Sequence, residues 1–166
     1  PSPTAIRSPT VFQDRVYFST STGLWVTDGS QAETSRIASI GNIVPGSVLL
    51  TTDRLYFASE SGRDLWVTQG TPATTRSVFS QVRYALRDLT ACGDRLFFAG
   101  RSDADGSELW VTDGTAAGTR RVIDLEPGPA GSSPSDLVAA GESGVYFSAL
   151  TSANGRELFY SDGTAL

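Results

Sequence analysis

The side chains able to do charge chemistry in this chain are carboxylates and arginines, because histidine and lysine are both absent. Without imidazole there is no Ser-His-Asp or Cys-His nucleophile pair and no histidine metal ligand. Without lysine there is no Schiff base and no Ser-Lys pair. Carboxylate chemistry of the glycosidase kind stays open, and it needs two Asp or Glu side chains about 5–9 Å apart, one with a raised pKa. Most acids here are committed elsewhere. Asp14, Asp53 and Asp94, and again Asp28, Asp113 and Asp162, recur at matched places where tight turns need a side chain that bonds its own backbone. The sequence therefore reads as noncatalytic, with a carboxylate-based glycoside hydrolase as the enzymatic alternative.

One acidic run, Asp103-Ala104-Asp105-Gly106-Ser107-Glu108, spaces its carboxylates closely enough for Asp103, Asp105 and Glu108 to face a Ca²⁺ ion. It lacks most of the ligand pattern of an EF-hand loop, so a solvated hairpin is the preferred reading and no cofactor is expected. Trp25, Trp66 and Trp110 offer flat faces on which a sugar could stack. Each stands between Leu and Val at one strand position, and Phe159 takes that place in a fourth copy, which assigns them to packing. Cys92 is the only cysteine, excludes an intrachain disulfide and reads as a small buried side chain between Ala91 and Gly93.

Net charge is −5 and all 13 cations are arginine, which disfavours nucleic acid and anionic membrane as partners. No apolar run approaches the roughly 18 residues of a membrane-spanning helix, and no signal-peptide pattern occurs. At 39% hydrophobic and 10% aromatic, 166 residues can own a core. Abundant Ala, Gly, Ser and Thr beside absent Lys, His and Met suggest a GC-rich bacterial gene. Opening on Pro1 with no methionine, the chain reads as a processed form or a piece of a longer one.

These candidates are positioned by a repeat. Gly23-Leu24-Trp25-Val26-Thr27-Asp28-Gly29 returns as Asp64-Leu65-Trp66-Val67-Thr68-Gln69-Gly70, as Glu108-Leu109-Trp110-Val111-Thr112-Asp113-Gly114, and as Glu157-Leu158-Phe159-Tyr160-Ser161-Asp162-Gly163; the leucines are 41, 44 and 49 residues apart. A second motif precedes each: Asp14-Arg15-Val16-Tyr17-Phe18, Asp53-Arg54-Leu55-Tyr56-Phe57, Asp94-Arg95-Leu96-Phe97-Phe98 and Gly144-Val145-Tyr146-Phe147. Each unit resolves into four short strands rich in β-branched and aromatic residues, jointed by Gly, Pro, Asp and Ser. Consecutive apolar residues in the second and third strands require cover on both sheet faces. Stacked four-stranded blades supply it, and the period matches that of propeller blades. The fold expected is an all-β propeller of four-stranded antiparallel blades at about 4–40, 45–82, 86–125 and 136–166, as a single propeller domain or part of one, with the last blade lacking its outer strand. Gly118 is expected to supply a second φ > 0 position before the fourth strand of its unit.

Through these motifs the chain resembles the bacterial ELWxxDGT repeat proteins, and the third unit, from Glu108-Leu109-Trp110 through Asp113-Gly114-Thr115 and Gly118-Thr119 to Pro127-Gly128, matches best. Units one and two are degenerate and the fourth stops after Asp162-Gly163-Thr164. The resemblance implies a propeller-like protein outside the cytoplasm, often a segment of a large secreted or surface-anchored chain. It brings no catalytic residues with it. With fifteen strands expected, three arrangements stay open: an open four-bladed ring, a ring completed by a second copy, or a fragment of a longer ring, and exposed blade ends favour the latter two.

In an up-and-down blade the loops between strands two and three share one end with the linkers between blades. That end varies: five residues separate Phe18 from Leu24, seven separate Phe57 from Leu65, and ten fill the gap in each later unit. Variable loops on a rigid scaffold are where recognition usually resides. The candidate contact residues are Arg63, Tyr84, Arg101, Asp103, Asp105, Asn154 and Arg156, with Glu108 and the Glu126 to Ser135 linker. The expected function is a binding or adhesion module for a glycan or a protein, with a structural segment of a larger surface protein as its rival.

Overall fold

The computed structural model describes residues 6–40, 43–44, 47–59, 61–80 and 86–164. These form fifteen strands and one 3-10 turn at Pro72–Thr74. The first sheet contains β1 (Arg7–Phe12), β2 (Arg15–Thr20), β3 (Gly23–Thr27) and β4 (Ser35–Ala38), and the second β5 (Leu49–Leu50), β6 (Leu55–Ala58), β7 (Asp64–Thr68) and β8 (Arg76–Ser80). The third contains β9 (Arg87–Cys92), β10 (Arg95–Ser102), β11 (Gly106–Thr112) and β12 (Arg120–Arg121). The fourth has three strands, β13 (Ser135–Ala140), β14 (Gly144–Thr151) and β15 (Gly155–Ser161). Every sheet runs antiparallel in chain order. The chain is an all-β propeller of four blades, the last without an outer strand, as its repeat predicts. Two compact units divide it, Pro1–Ser80 with the first two blades and Gln81–Leu166 with the last two.

The repeated Thr-Asp-Gly explains itself in hydrogen bonds. Asp28, Asp113 and Asp162 each accept through Oδ1 from the backbone N–H two residues on, at 2.8 Å in all three. For Asp28 that backbone bond, and for Asp162 the Thr164 hydroxyl followed by the backbone bond, hold the carboxyl below the usual carboxylate range. The preceding Thr27, Thr68 and Thr112 hydroxyls accept from the N–H of Gly29, Gly70 and Gly114. Each of these hydroxyls also meets, at 2.7 Å, a second threonine seven residues later: Thr34, Thr75 and Thr119. The glycines turn at φ +101, +98 and +83, a region closed to most side chains. Gly118 differs from expectation. Its φ is not positive, and it is small because a Cβ there would overlap the Asp113 carboxylate. Since Thr112 is fully buried, Thr112→Val should remove both its bonds and lower unfolding stability by about 1–3 kcal/mol, whereas Thr119→Val, which also loses two bonds but at a half-buried place, should cost roughly half as much; urea midpoints measure the difference.

Each blade has two apolar faces. In the first unit, Tyr17, Leu24 and Val26 pack with Leu55 and Phe57 of the next blade, with Trp66 against the cluster. In the second, Phe97, Leu109 and Val111 pack with Val145, Phe147 and Ala149, joined by Phe159. The rule is the same in both: the Tyr/Phe-Leu-Val face of one blade meets the Leu/Val-Phe face of the following one. Trp25, Trp66 and Trp110 are half-buried and stack on Phe18, Phe57 and Phe98 of the neighbouring strand at 6.4–6.5 Å between ring centres. Cys92 is buried, and its thiol donates to the Gly144 carbonyl at 3.2 Å. Burial pushes that thiol's pKa up, the character of an inert packing cysteine.

Candidate functional site

The second unit carries the candidate site, at the end where the two-to-three hairpins and the blade linker meet. The β10–β11 hairpin pairs in register from Leu96↔Thr112 to Ser102↔Gly106. The linker after β12 is locked against it. Ser133 N–H donates to the Ser107 carbonyl at 2.9 Å, and Leu150 N–H donates to the Ser132 carbonyl at 2.7 Å, so the linker is also joined to β14. Gly106 (φ +69) and Gly131 (φ +64) lie backbone to backbone, where a Cβ on either would overlap main-chain atoms of the other segment.

Glu108 completes the lock, which corrects both its place among the candidate contact residues and the solvated-hairpin reading preferred over calcium there. Its side chain is fully buried. Oε1 accepts from Ser132 N–H at 2.7 Å and Oε2 from Ser132 Oγ–H at 2.6 Å. Desolvation pushes its pKa above the ordinary value, against the opposing pull of the Ser132 bonds. The hairpin acids do not converge on a cation either. Asp105 accepts from Ser102 Oγ at 3.0 Å and pairs with Arg121 at 3.1 Å, while Asp103 is exposed at the turn. Among the described residues no group of three His, Cys, Asp or Glu side chains gathers as a metal set.

The lock frames a cavity of about 410 Å³, lined by Arg87, Asp88, Ala99, Arg101, Ser107, Ser133, Pro134, Ser135 and Arg156. Three strands deliver its arginines. Arg87 opens β9 opposite Ala99, Arg101 pairs with Ser107 near the end of β10, and Arg156 is the second residue of β15, opposite Leu150. Bulges shape the entrance: the registers of β9 and β13 both slip near their starts, with Asp88 at φ 52 and Asp136 at φ 57. A bulge re-aims the residue beside it, here Arg87 and Ser135. The Asp88 carboxylate accepts from Asp136 N–H at 3.2 Å, which ties the two bulges together.

The Arg156 guanidinium is set in place by neutral oxygens. Arg156 donates to Ser135 Oγ at 3.1 Å, Ser148 Oγ at 3.0 Å and the Ser133 carbonyl at 3.3 Å, and no carboxylate pairs with it among the described residues. Arg101 donates to the Pro129 carbonyl at 3.2 Å. Arg87 makes no side-chain hydrogen bond or ion pair among the described residues. Three guanidinium groups thus share the cavity with one carboxylate, that of Asp88, and forked donors of this kind match a planar or tetrahedral anion.

Of the residues predicted from sequence, the structure brings Arg101 and Arg156 to this one cavity. Asn154 sits exposed in the β14–β15 turn, its N–H donating to Thr151 Oγ1 at 3.3 Å. Arg63 is exposed between β6 and β7 of the first unit. Tyr84 lies outside the described residues. Ser133, Pro134 and Ser135 of the named Glu126 to Ser135 linker also line the cavity, and sequence reasoning missed Arg87. A signal for Arg87 existed: Arg7 and Arg87 both stand seven residues before the turn aspartates Asp14 and Asp94. A second cavity, about 210 Å³ and largely apolar, lies along β15 between Phe147, Phe159 and the Val122, Ile123 and Leu125 segment. It flanks the edge that β4, β8 and β12 occupy in the other blades.

No protein-family model matches the chain, and no curated protein matches it. Solved structures match over nearly its whole length. A prolyl endopeptidase has a TM-score of 0.55 at 16% identity, over 98% of this chain and 25% of that one. A puromycin hydrolase has a TM-score of 0.54 at 12% identity, over 99% of this chain and 28% of that one. The computationally designed Ika4 protein has a TM-score of 0.52 at 16% identity, over 95% of this chain and 91% of that one. The likeness is one of fold, that of a β-propeller. The chain spans about a quarter of the two hydrolases, at 25% and 28% of their lengths.

Proposed function

We propose that the protein is a noncatalytic binding module that takes an anionic group of a glycan, a carboxylate or a sulfate, in the Arg87, Arg101 and Arg156 cavity. The observation that carries this reading is a serine-rich pocket with three arginines in a chain whose net charge is −5. Arginine forks supply the charge recognition, and the Ser107, Ser133 and Ser135 hydroxyls suit the hydroxyls of a sugar. The module acts outside the cytoplasm, in keeping with the resemblance of its repeats to ELWxxDGT surface chains. A glycan array with uronic-acid, sulfated and neutral oligosaccharides tests it. Acidic glycans should bind and neutral ones should not, with affinity falling as salt rises. Arg156→Ala should weaken binding roughly 10- to 100-fold, the loss of one charge-assisted hydrogen-bonding fork. Selective capture of acidic peptides would transfer the site to a protein ligand, and silence throughout would leave a structural spacer.

A further inference from the structure

Charges of opposite sign stand side by side in the arginine cavity, and a regular strand would not place them so. Arg87 and Asp88 are consecutive in β9, and consecutive strand residues point to opposite faces of a sheet. Both nevertheless line the one cavity. The bulge accounts for it: the β9 register slips here and Asp88 stands at φ 52, which brings the second side chain round to the side of the first.

The bulge does not itself call for a carboxylate. In blade 1, Arg7 opens β1 as Arg87 opens β9, and Ser8 holds the next place at φ 49. The backbone is bonded alike in both, Thr10 Oγ1 donating to the Ser8 carbonyl and Thr90 Oγ1 to the Asp88 carbonyl, each at 3.3 Å. Asp136, at the bulge of β13, is used within its own blade, where it accepts from Ser135 Oγ at 3.0 Å and Ser148 Oγ at 3.1 Å. Asp88 is exposed and gives Oδ1 to the Asp136 N–H at 3.2 Å, while its Oδ2 accepts from no group among the described residues. An open acceptor thus stands next to the cationic forks.

We propose that Asp88 sets the specificity of this site and that the ligand is a uronic acid at the free end of a glycan chain. The arginines hold its carboxylate, and Asp88 accepts from the ring hydroxyl beside it. The inference rests on the arginine-cavity reading above and narrows it. In a uronic acid the carboxylate is bonded to a ring carbon whose neighbour carries a hydroxyl, so anion and donor lie at a fixed, short separation. A sulfate ester, joined through a rotatable oxygen, fixes no such pair. An ionised acceptor binds a hydroxyl proton more strongly than a neutral one does. Where the next sugar is joined through that hydroxyl the donor is lost, which restricts binding to a free chain end. The size agrees: about 410 Å³ is toward the small end of ligand sites, roughly 300–1,000 Å³, and suits one ring rather than a run of them.

NMR titration of the full chain at low salt tests this with methyl glucuronide, the same sugar methylated at the vicinal hydroxyl, and oligouronates joined through that hydroxyl. The wild type should bind methyl glucuronide about 10- to 100-fold more tightly than its ether, the loss of one hydrogen bond to a charged acceptor. Oligouronates of increasing length should bind with constant affinity, each by its one free end. Asp88→Asn keeps an amide oxygen for the Asp136 N–H and a residue type that tolerates the left-handed backbone. Its amide nitrogen donates to hydroxyl and ether oxygen alike, so the two affinities should come within about twofold of each other. Equal wild-type affinity for the two sugars, a preference that survives in Asp88→Asn, or affinity that climbs with oligomer length would overturn the proposal and leave the arginine site standing. The arginine reading fails by a different result, silence with every acidic probe or binding unmoved by Arg156→Ala, and the proposal falls with it.

Discussion

Gly131→Ala should lower unfolding stability by about 3 kcal/mol or more and abolish the arginine cavity, while Gly141→Ala should cost about 1–2 kcal/mol and leave the cavity intact. Both glycines are left-handed, at φ +64 and φ +61, so the conformational penalty of adding a Cβ is the same. They differ in what the Cβ would meet. At Gly141 nothing lies within 4 Å, whereas at Gly131 it would overlap the backbone nitrogen and carbonyl oxygen of Ser107. Backbone cannot rotate aside as a side chain can, so the linker must lift from the β10–β11 hairpin. The Ser133 to Ser107 bond then breaks, and with it the carbonyl that orients Arg156. Urea denaturation of the two variants isolates the close approach from the dihedral cost, and acidic-glycan binding by Gly141→Ala reports whether the site survives. Equal losses in the two variants would show that the backbone contact does not hold the linker.

Glu108→Ala should destabilise by about 2–4 kcal/mol, because it opens a cavity and takes both partners from Ser132 in a buried place. Glu108→Gln should stay within about 1 kcal/mol of wild type, since its amide oxygen can accept from Ser132 N–H and its amide nitrogen can donate to the rotatable Ser132 hydroxyl. The two substitutions also separate by pH. The Glu108 pKa in the folded protein lies above its ordinary value of 4.5, so the folded state holds that proton more tightly than the unfolded chain. Its contribution to stability is therefore fullest below pH 4.5 and declines as pH rises through the folded pKa. Glutamine cannot titrate. Urea midpoints measured from acid to neutral pH should fall less in Glu108→Gln than in wild type, and parallel curves would place the charge cost elsewhere.

The blades were legible because a strand covered on both faces and a hairpin with a φ > 0 glycine leave local marks, and a fourfold repeat multiplies them. Two of the three arginines that line the cavity, Arg101 and Arg156, were also named from the sequence. The buried role of Glu108 was not. Its position next to Leu109 and Trp110 marks it as part of the motif, but nothing local says whether that end of the strand meets water or a linker. The answer lies 24 residues away at Ser132. Asp64 occupies the same repeat place and binds Ser59 and Ser80 of its own blade, and Glu157 there is exposed, so the repeat position alone does not determine the partner. Gly118 carries the same lesson on a smaller scale: a glycine in a turn suggested backbone freedom, and the Asp113 side chain made it a matter of space.

From its residues alone this chain determined that it would build blades, where their turns would fall, and that neither imidazole nor lysine chemistry was available to it. Tertiary structure decided which charges share a cavity and which carboxylate is buried under a linker. Hairpin and strand rules act over a few neighbouring residues, so they are written in order along the sequence. The meeting of Arg87 with Arg156, or of Glu108 with Ser132, depends on how a linker crosses between blades, and that path is set by close backbone packing at Gly106 and Gly131 rather than by any local preference.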